Sequence, residues 1–254
     1  MEVTMGANSS ANSIQKKCDR PEHRNVHSEF LLQDKINGHT LVKSSAWKNS
    51  RNAAVGGVGV LLSPRALKAC RSISKCDDNI MKVTLMGNPE TTVLRIYSPH
   101  NERPDEVTHF YQESSTITNA IPAHCLLLIG GDFNAMLGPM DVLFTYNKVN
   151  YYKRNGKNML DFMDQFNLTA TTTRFQNRTS KLWTHRRPSG DSAQLDYIIS
   201  RKKWTNSIKN SRANNSFLGV NSDHRMVCCK CQISYRQRKA TVKGRIIKES
   251  IGEK

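Results

Sequence analysis

The stretch Cys125-Leu-Leu-Leu-Ile-Gly-Gly-Asp-Phe-Asn-Ala135 decides the fold that we predict for this chain. Its fully apolar part, Cys125–Ile129, predicts a buried strand that ends at Gly130-Gly131. Asp132 and Asn134 then lie on the loop at the carboxyl end of that strand, where open α/β sheets place their reactive groups. Taken alone, the two residues fit a catalytic loop and a turn that satisfies its own backbone equally well.

The sequence around this stretch alternates between patterns typical of strands and of helices, which predicts an α/β fold. The predicted strands are Val55–Leu62, Ile80–Met86, Thr91–Tyr97, Leu182–Thr184, Leu195–Ser200 and Met226–Ile233. One short helix is expected after the cap Ser63-Pro64, a second from Pro104, and a third that Asn155 can cap. We expect one domain, because folds of this class often reach about 200–250 residues undivided.

The charge of the chain favours a polyanionic partner. Its 254 residues include 38 Lys and Arg against 21 Asp and Glu, a formal net charge of +17. This excess favours a polyanionic partner, and nucleic acid is the usual one. The longest apolar stretches, such as Val58–Leu62, are far shorter than the roughly 20 residues of a membrane helix, so we expect no membrane span and no secretory signal.

The seven cysteines indicate a reducing compartment, and we expect an intracellular protein of the nucleus or cytoplasm. Their number is odd and their spacing fits no disulfide framework. Cys228 and Cys231 form a C-x-x-C pair, but no second Cys/His pair accompanies it at the spacing of a zinc site. In the predicted strand Met226–Ile233, Cys229 and Cys231 fall on one face with Val227 and Ile233, and we interpret the cysteines as small apolar residues.

Further polar groups lie inside, before or after other predicted strands. Asp196 lies inside the otherwise apolar strand Leu195–Ser200, where a carboxylate is costly unless it is paired. The imidazole of His224, in Ser222-Asp223-His224, is its natural partner, because a carboxylate fixes the tautomer of the ring and raises its pKa. Tyr97-Ser-Pro-His-Asn101 adds a phenol and an amide after another strand.

The motifs Tyr-x-Pro-x-Asn, Gly-Asp-Phe-Asn, Leu-Asp-Tyr-Ile and Ser-Asp-His, in this order, resemble those of the endonuclease/exonuclease/phosphatase (DNase I-like) superfamily. The match looks closest to endonuclease domains of non-LTR retrotransposons, of the craniofacial development protein 2-like kind. It runs from about Glu22 to Ile233. The resemblance implies a four-layer α/β sandwich of two mixed sheets flanked by helices. It also implies hydrolysis of DNA phosphodiesters with Mg²⁺ (or Mn²⁺) as the sole cofactor, as in apurinic/apyrimidinic endonucleases.

The resemblance also implies roles for individual residues. Asp132 would orient and deprotonate the attacking water, and Asn134 would hold that water or the phosphate. His224, oriented by Asp196, would stabilise charge on the phosphoryl oxygens. Tyr97 would contact the phosphate or the leaving group.

Two metal ligands are implied in the same way, and further residues are candidates for contact with the substrate. Asp223 and Glu22, the latter in Pro21-Glu-His-Arg24, would be metal ligands, although Glu22 also fits a solvated surface acid. Asn101, Trp183, Arg186 and Arg187 are the candidate substrate contacts. Trp183 fits both base stacking and ordinary packing, and the two arginines fit both a phosphate contact and a solvated turn.

The family has an opening strand with an active-site Asn, and we expect that strand to be missing or replaced in this chain. Residues 1–20 are polar and have no strand-like apolar run, the domain spans residues 21–234, and residues 235–254 form a basic tail. That tail fits a solvated, flexible end and also an arm that contacts nucleic acid. A missing strand would impair the nuclease, so the main alternative is a catalytically inactive, basic nucleic-acid-binding module. A phosphatase or lipid phosphodiesterase on the same scaffold ranks below both.

Overall fold

The computed structural model of the chain describes residues 2–5, 31–44, 47–48, 54–55, 57–148, 154–214 and 222–235. Its helices are Pro64–Ala69 (α1), Pro104–Asn119 (α2) and Arg154–Gln165 (α3), with 3-10 helices at Thr171–Arg174, Thr179–Lys181 and Lys202–Ser207. The strands are Glu2–Met5 (β1), Leu31–Ile36 (β2), His39–Ser44 (β3), Trp47–Lys48 (β4), Ala54–Val55 (β5), Gly59–Leu62 (β6), Cys70–Asp77 (β7), Ile80–Leu85 (β8), Gly87–Asn88 (β9), Thr91–Tyr97 (β10), Leu126–Asp132 (β11), Leu168–Ala170 (β12), His185–Arg186 (β13), Ser192–Ala193 (β14), Asp196–Arg201 (β15), Ile208–Asn214 (β16), Met226–Cys231 (β17) and Ser234–Tyr235 (β18).

A six-stranded mixed sheet forms the centre of the fold, in the order β12-β15-β11-β10-β8-β7. Strands β10 and β11 run parallel, and the other neighbours in this sheet are antiparallel. Two parallel neighbours need a crossover connection, and helix α2 provides it between β10 and β11. The carboxyl ends of these two strands therefore lie side by side at one edge of the sheet.

A second layer of strands packs on one face of this sheet. It includes the antiparallel sheets β1-β17-β16 and β2-β3-β6. Leu62, Val227 and Cys229 from this layer pack against Leu128 and Ile198 of the central sheet. Helices α2 and α3 cover the opposite face. The α/β fold class is thus confirmed, and the central sheet is covered on both sides.

Strand β11 shows why its sequence is continuously apolar. Leu126 and Leu128 belong to the core between the strand layers, whereas Leu127 and Ile129 belong to the core beneath the helices. All four side chains are buried, since each face of the strand meets a different layer.

The sequence predicts that the family's opening strand is missing or replaced. A strand is present before Glu22, so the first of these alternatives is wrong. Strand β1 pairs antiparallel with β17, from Glu2 opposite Lys230 to Met5 opposite Val227. It is a four-residue strand at the edge of its sheet. Backbone hydrogen bonds to β17 hold this strand in place, and a short strand held in this way needs no long apolar run. The sequence pattern therefore did not reveal it.

The sequence predicts that strand β11 ends at Gly130-Gly131, but the strand continues to Asp132. The two glycines instead allow the backbone of β11 to lie close to that of β10. A Cβ atom on Gly131 would collide with the carbonyl oxygen of Ile96 and with the guanidinium of Arg95. Only glycine therefore fits between β11 and β10 at this point.

Three other local predictions need correction. The predicted strand Val55–Leu62 is divided into β5 and β6, because Gly57 between them has φ +82°. The segment Leu182–Thr184 is not a strand, and the extended pairing begins one residue later with β13. Helix α3 begins at Arg154, so Asn155 lies in its first turn rather than capping it.

Other predicted elements are confirmed. The hydroxyl of Ser63 accepts a hydrogen bond from the backbone amide of Ala66 and caps α1. Helix α2 begins at Pro104, and the strands predicted at Ile80–Met86 and Thr91–Tyr97 are present as β8 and β10. Cys229 and Cys231 lie in the core between the strand layers, as expected for small apolar residues. None of the helices in the described ranges is long and apolar enough to cross a membrane.

Candidate active site

Three polar side chains lie in one row across the end of the central sheet. Tyr97, the last residue of β10, pairs with Asp132 at the end of β11, and Asp132 pairs with Asp196 at the start of β15. Because side chains alternate between faces of a strand, Asp196 shares a face with Ile198, which packs in the core between the strand layers. The register of three strands therefore brings together groups that are a hundred residues apart in sequence.

His224 lies over this row, just before β17. Its Nδ1 donates a hydrogen bond to Oδ2 of Asp196 at 2.9 Å, and its Nε2 is 4.0 Å from Oδ2 of Asp132. The first distance is that of a charge-assisted hydrogen bond, whereas the second leaves Nε2 outside bonding range of Asp132. The Nε2–H group is therefore available to a ligand in the site.

Two groups of the site, Asp132 and His224, have raised pKa values and can carry a proton near neutral pH. Burial, followed by the charge of Asp196, raises the pKa of Asp132 to about 7. Burial alone would lower the pKa of His224, but the hydrogen bond and charge of Asp196, together with Asp132 and Asp223, outweigh it and raise this pKa to about 9. The imidazole is therefore a cation at neutral pH, beside a carboxyl group close to its midpoint.

Arg95 supplies a second positive charge beneath the row. Its side chain is buried between the strand layers, and its Nη1 donates to the carbonyl oxygen of Ile96. Burial lowers the pKa of Arg95, while the nearby carboxylates of Asp196 and Asp132 raise it. A buried guanidinium of this kind offsets the mutual repulsion of the two carboxylates.

A network of amides fixes the loops around Asp132. The backbone amide of Asn134 donates to Oδ1 of Asp132 at 2.8 Å, and Nδ2 of Asn134 donates to the carbonyl of Ser98 at 2.7 Å. Asn155, which is fully buried, donates from Nδ2 to the carbonyls of Pro99 and Asn134. The two loops at the carboxyl ends of β10 and β11 are thus tied to the start of α3.

Of the two predicted metal ligands, Asp223 lies within the described residues and Glu22 does not. Asp223 lies at the mouth of the site with its side chain half exposed, and its Oδ2 is 3.4 Å from Nε2 of His185. Glu22 lies outside the described residues. Its role as a metal ligand stays a prediction.

The predicted substrate contacts lie in two places. Oδ1 of Asn101 accepts a hydrogen bond from the backbone amide of Asn155 at 2.8 Å, so this oxygen is already used to hold α3. Trp183 is partly buried, and its ring carries the guanidinium of Arg225 at 2.9 Å from its centroid and that of Arg186 at 5.4 Å. Arg187 is exposed in the following turn. This geometry shows Trp183 packed against arginines, and its role toward substrate stays a prediction.

The sequence reasoning missed Arg95, Asn155, His185 and Thr184. Thr184 is buried, and its hydroxyl accepts hydrogen bonds from the backbone amides of Leu195 and Asp196, which fixes the start of β15. Arg95 did carry a signal, because a charged residue inside the apolar strand Thr91–Tyr97 is as unusual as Asp196 in its own strand.

The sequence profile of a family described as "Endonuclease-reverse transcriptase" matches residues 91–228, which is more than half of the chain. The matched segment includes Tyr97, Asp132, Asp196 and His224, whereas the predicted ligand Glu22 lies before it. The chain belongs to the endonuclease-reverse transcriptase family. The resemblance drawn from the motifs is thereby confirmed.

The chain is also similar to curated proteins and to solved structures. Craniofacial development protein 2 of Bos taurus is 26% identical over 185 residues, which is 71% of this chain and 31% of that protein, so the chain spans about a third of that relative. Among solved structures, the endonuclease domain of TRAS1, a telomere-specific non-LTR retrotransposon, aligns with a TM-score of 0.53 at 14% identity, covering 82% of this chain and 86% of that one. The 3′ phosphatase NExo from Neisseria, bound to a product DNA hairpin, aligns with a TM-score of 0.57 at 14% identity, covering 76% and 79%. At these identities the structural likeness concerns the fold.

Proposed function

We propose that this endonuclease-reverse transcriptase family member hydrolyses phosphodiester bonds in DNA with a divalent metal ion, as a retroelement-derived, apurinic/apyrimidinic-like endonuclease. One observation carries the proposal: Asp132, at the carboxyl end of β11, and Asp196, at the start of β15, are in register at the same end of the sheet, with the ring of His224 between them. This arrangement combines a base and a cationic donor on one side of a single site.

Asp132 is suited to activate water. Its pKa, raised to about 7 by burial and by Asp196, matches the pH at which a general base works best. The amide of Asn134 holds Oδ1 in place, so Oδ2 remains to accept a proton from the attacking water. Asn134 in turn is held by Ser98, which keeps the base fixed relative to β10.

His224 and Tyr97 are suited to stabilise negative charge on the phosphate. The raised pKa of His224 keeps Nε2 protonated, and Asp196 fixes the direction in which it points. Burial, and then the charge of Asp132, raise the pKa of Tyr97, so its phenol remains a donor at neutral pH. Donors fixed before the reaction stabilise developing charge without reorganising.

The residues present fit a hard divalent cation. The half-exposed carboxylate of Asp223 faces the site, and carboxylate oxygens are the ligands that Mg²⁺ and Mn²⁺ prefer. Asp223, with Glu22 as the second predicted ligand, would hold the ion. When bound, the ion supplies positive charge to the phosphoryl oxygens.

The charge of the chain supports DNA as the polymer that it cuts. The net charge of +17 attracts phosphates, and exposed Arg186 and Arg187 extend from the strand that adjoins His224. Affinity for DNA is expected to fall steeply with salt concentration, because each neutralised phosphate releases counterions.

The proposal is tested by nicking of supercoiled plasmid with Mg²⁺, comparing the wild-type chain with Asp132→Asn. We expect Asp132→Asn to lower the rate by about 100-fold or more, because general base catalysis contributes this much. Asp161→Asn is the matched control, since Asp161 is an exposed carboxylate of α3 paired with Lys157. Equal rates for wild type and Asp132→Asn would refute the proposal.

The same experiment separates the nuclease from a basic binding module. If neither protein nicks DNA, but both bind it with an affinity that falls steeply with salt, the chain is a non-catalytic binder. The charge of +17 is the observation that favours this second candidate.

A further inference from the structure

We propose that His185, Asp223 and His224 form a binding site for Zn²⁺ at the mouth of the candidate active site. One ligand atom from each residue lies within 4.8 Å of the other two. Two imidazoles and one carboxylate are a ligand set that zinc binds with three protein ligands and one open position. Mg²⁺ prefers oxygen ligands, so this site differs in kind from the one proposed above.

The two histidines are placed together by the backbone. His185 and His224 are opposite each other in an antiparallel β-bridge. The amide of Arg186 donates to the carbonyl of Asp223 at 2.9 Å, and the amide of Arg225 donates to the carbonyl of Thr184 at 2.6 Å. These bonds flank the bridge, which makes it a non-hydrogen-bonded pair, the kind in which opposite side chains are closest. The ring centroids are accordingly 4.6 Å apart.

The hydrogen bond of His224 to Asp196 prepares the ring as a ligand. Nδ1 is bonded to the carboxylate, so Nε2 is the nitrogen directed toward His185 and Asp223. A carboxylate on the far nitrogen of a metal-bound histidine fixes the ring and strengthens its basicity. Zinc binding would release the proton of Nε2 to solvent.

His185 has little other reason for its position. Its Nδ1 is buried without a hydrogen-bond partner in the part of the chain that the structure describes. Its Nε2 is 3.4 Å from Asp223, longer than a good hydrogen bond. We therefore interpret the imidazole of His185 as a metal ligand. Ligand atoms around zinc are about 3.3 Å apart, given Zn–N distances of about 2.0–2.1 Å. The 3.4 Å between Nε2 of His185 and Oδ2 of Asp223 is close to this separation.

Zinc at this site would oppose the nuclease, and this consequence rests on the proposed function. Bound zinc would occupy Nε2 of His224, which then could not donate to a phosphoryl oxygen, and it would occupy Asp223, which Mg²⁺ requires. We therefore infer that Zn²⁺ inhibits cleavage supported by Mg²⁺.

Binding is tested first, without DNA. The metal-free chain is titrated with Zn²⁺ against a chromophoric chelator, and with Co²⁺ as a spectroscopic probe that reveals thiolate ligands by charge-transfer absorption. We expect His185→Phe, which keeps an aromatic ring, to weaken zinc binding by about 100-fold or more. His109→Phe, at an exposed position of α2, is the control and should bind as wild type does. Equal affinity in His185→Phe, or thiolate absorption with Co²⁺, would overturn the proposal.

Asp223→Asn is the second variant, for use if His185→Phe does not fold. Asp223 is half exposed, so its position tolerates substitution. It should also weaken zinc binding, and unchanged affinity would count against the site. Inhibition is then measured as the ratio of nicking rates with and without Zn²⁺ within each variant. The ratio should be well below one for wild type and near one for His185→Phe. Zinc binding without any nicking by wild type would uphold this site and refute only the nuclease.

Discussion

Asp132 and Asp196 face each other in register across β11 and β15, and both carboxylates are buried. Like charges in directly opposite positions destabilise a pair of strands. The structure offsets this repulsion with His224, which bonds Asp196 and approaches Asp132, and with Arg95 beneath them. The site is therefore a set of mutually dependent charges, in which the loss of one should change the others.

Arg95→Met should destabilise the fold strongly. It removes the buried cation and leaves both carboxylates with less compensation, for which we expect a loss of about 3–5 kcal/mol in the free energy of unfolding. Urea denaturation measures this loss. Arg71→Met is the control, because Arg71 forms an exposed ion pair with Glu90 and should cost less than about 1 kcal/mol. Similar losses in the two variants would show that Arg95 does not stabilise the buried carboxylates.

The sequence predicted the acids and the imidazole of the site because each lies inside a recognisable apolar strand or next to one of its ends. Asp196 inside Leu195–Ser200 required a partner, and His224 proved to be within hydrogen-bond distance. By contrast, the place of His185 depends on the register between two segments far apart in sequence, which no local pattern encodes. Strand β1 escaped detection for a similar reason, since it depends on pairing with β17.

Asn155 shows a second limit of local reasoning. The pattern around it correctly predicted a helix, and an asparagine at its start suggested a cap. Its amide instead reaches two loops from other strands, so its function is set by tertiary structure. The roles that the sequence predicts for the site residues in catalysis, metal binding and substrate binding stay predictions.

Asn155→Ala should loosen the loops that carry Asn134 and Pro99. It removes hydrogen bonds to both carbonyls and leaves them buried, which should cost about 1–3 kcal/mol of stability for each unsatisfied group. We also expect slower nicking, because Asn134 positions the base Asp132. Thermal unfolding and nicking rates measure both effects. Asn158→Ala, at a partly buried position of the same helix, should change neither, and matching losses there would implicate the helix rather than the loops.

Gly131→Ala should damage the fold at the point where β11 meets β10. The added methyl group would enter space held by the carbonyl of Ile96 and the guanidinium of Arg95. A backbone atom cannot move aside cheaply, so we expect a loss of more than about 3 kcal/mol, measured by chemical denaturation. Gly190→Ala is the comparison: its methyl meets no atom within 4 Å, and only its φ of +92° opposes it, at a cost of about 1–2 kcal/mol. Equal costs would contradict the close approach.

The pKa of His224 should depend on Asp196. In the metal-free protein, a proton NMR titration should give a value near 9 for wild type and one at least about 1 unit lower for Asp196→Asn. Because the folded pKa lies above the ordinary value of 6.5, this histidine contributes stability that is fully present below pH 6.5 and lost as the pH rises through 9. Wild type should therefore lose stability between about pH 7 and pH 10, by on the order of 3 kcal/mol, and Asp196→Asn much less. Parallel stability curves for the two proteins would show that Asp196 does not hold the imidazole in its charged form.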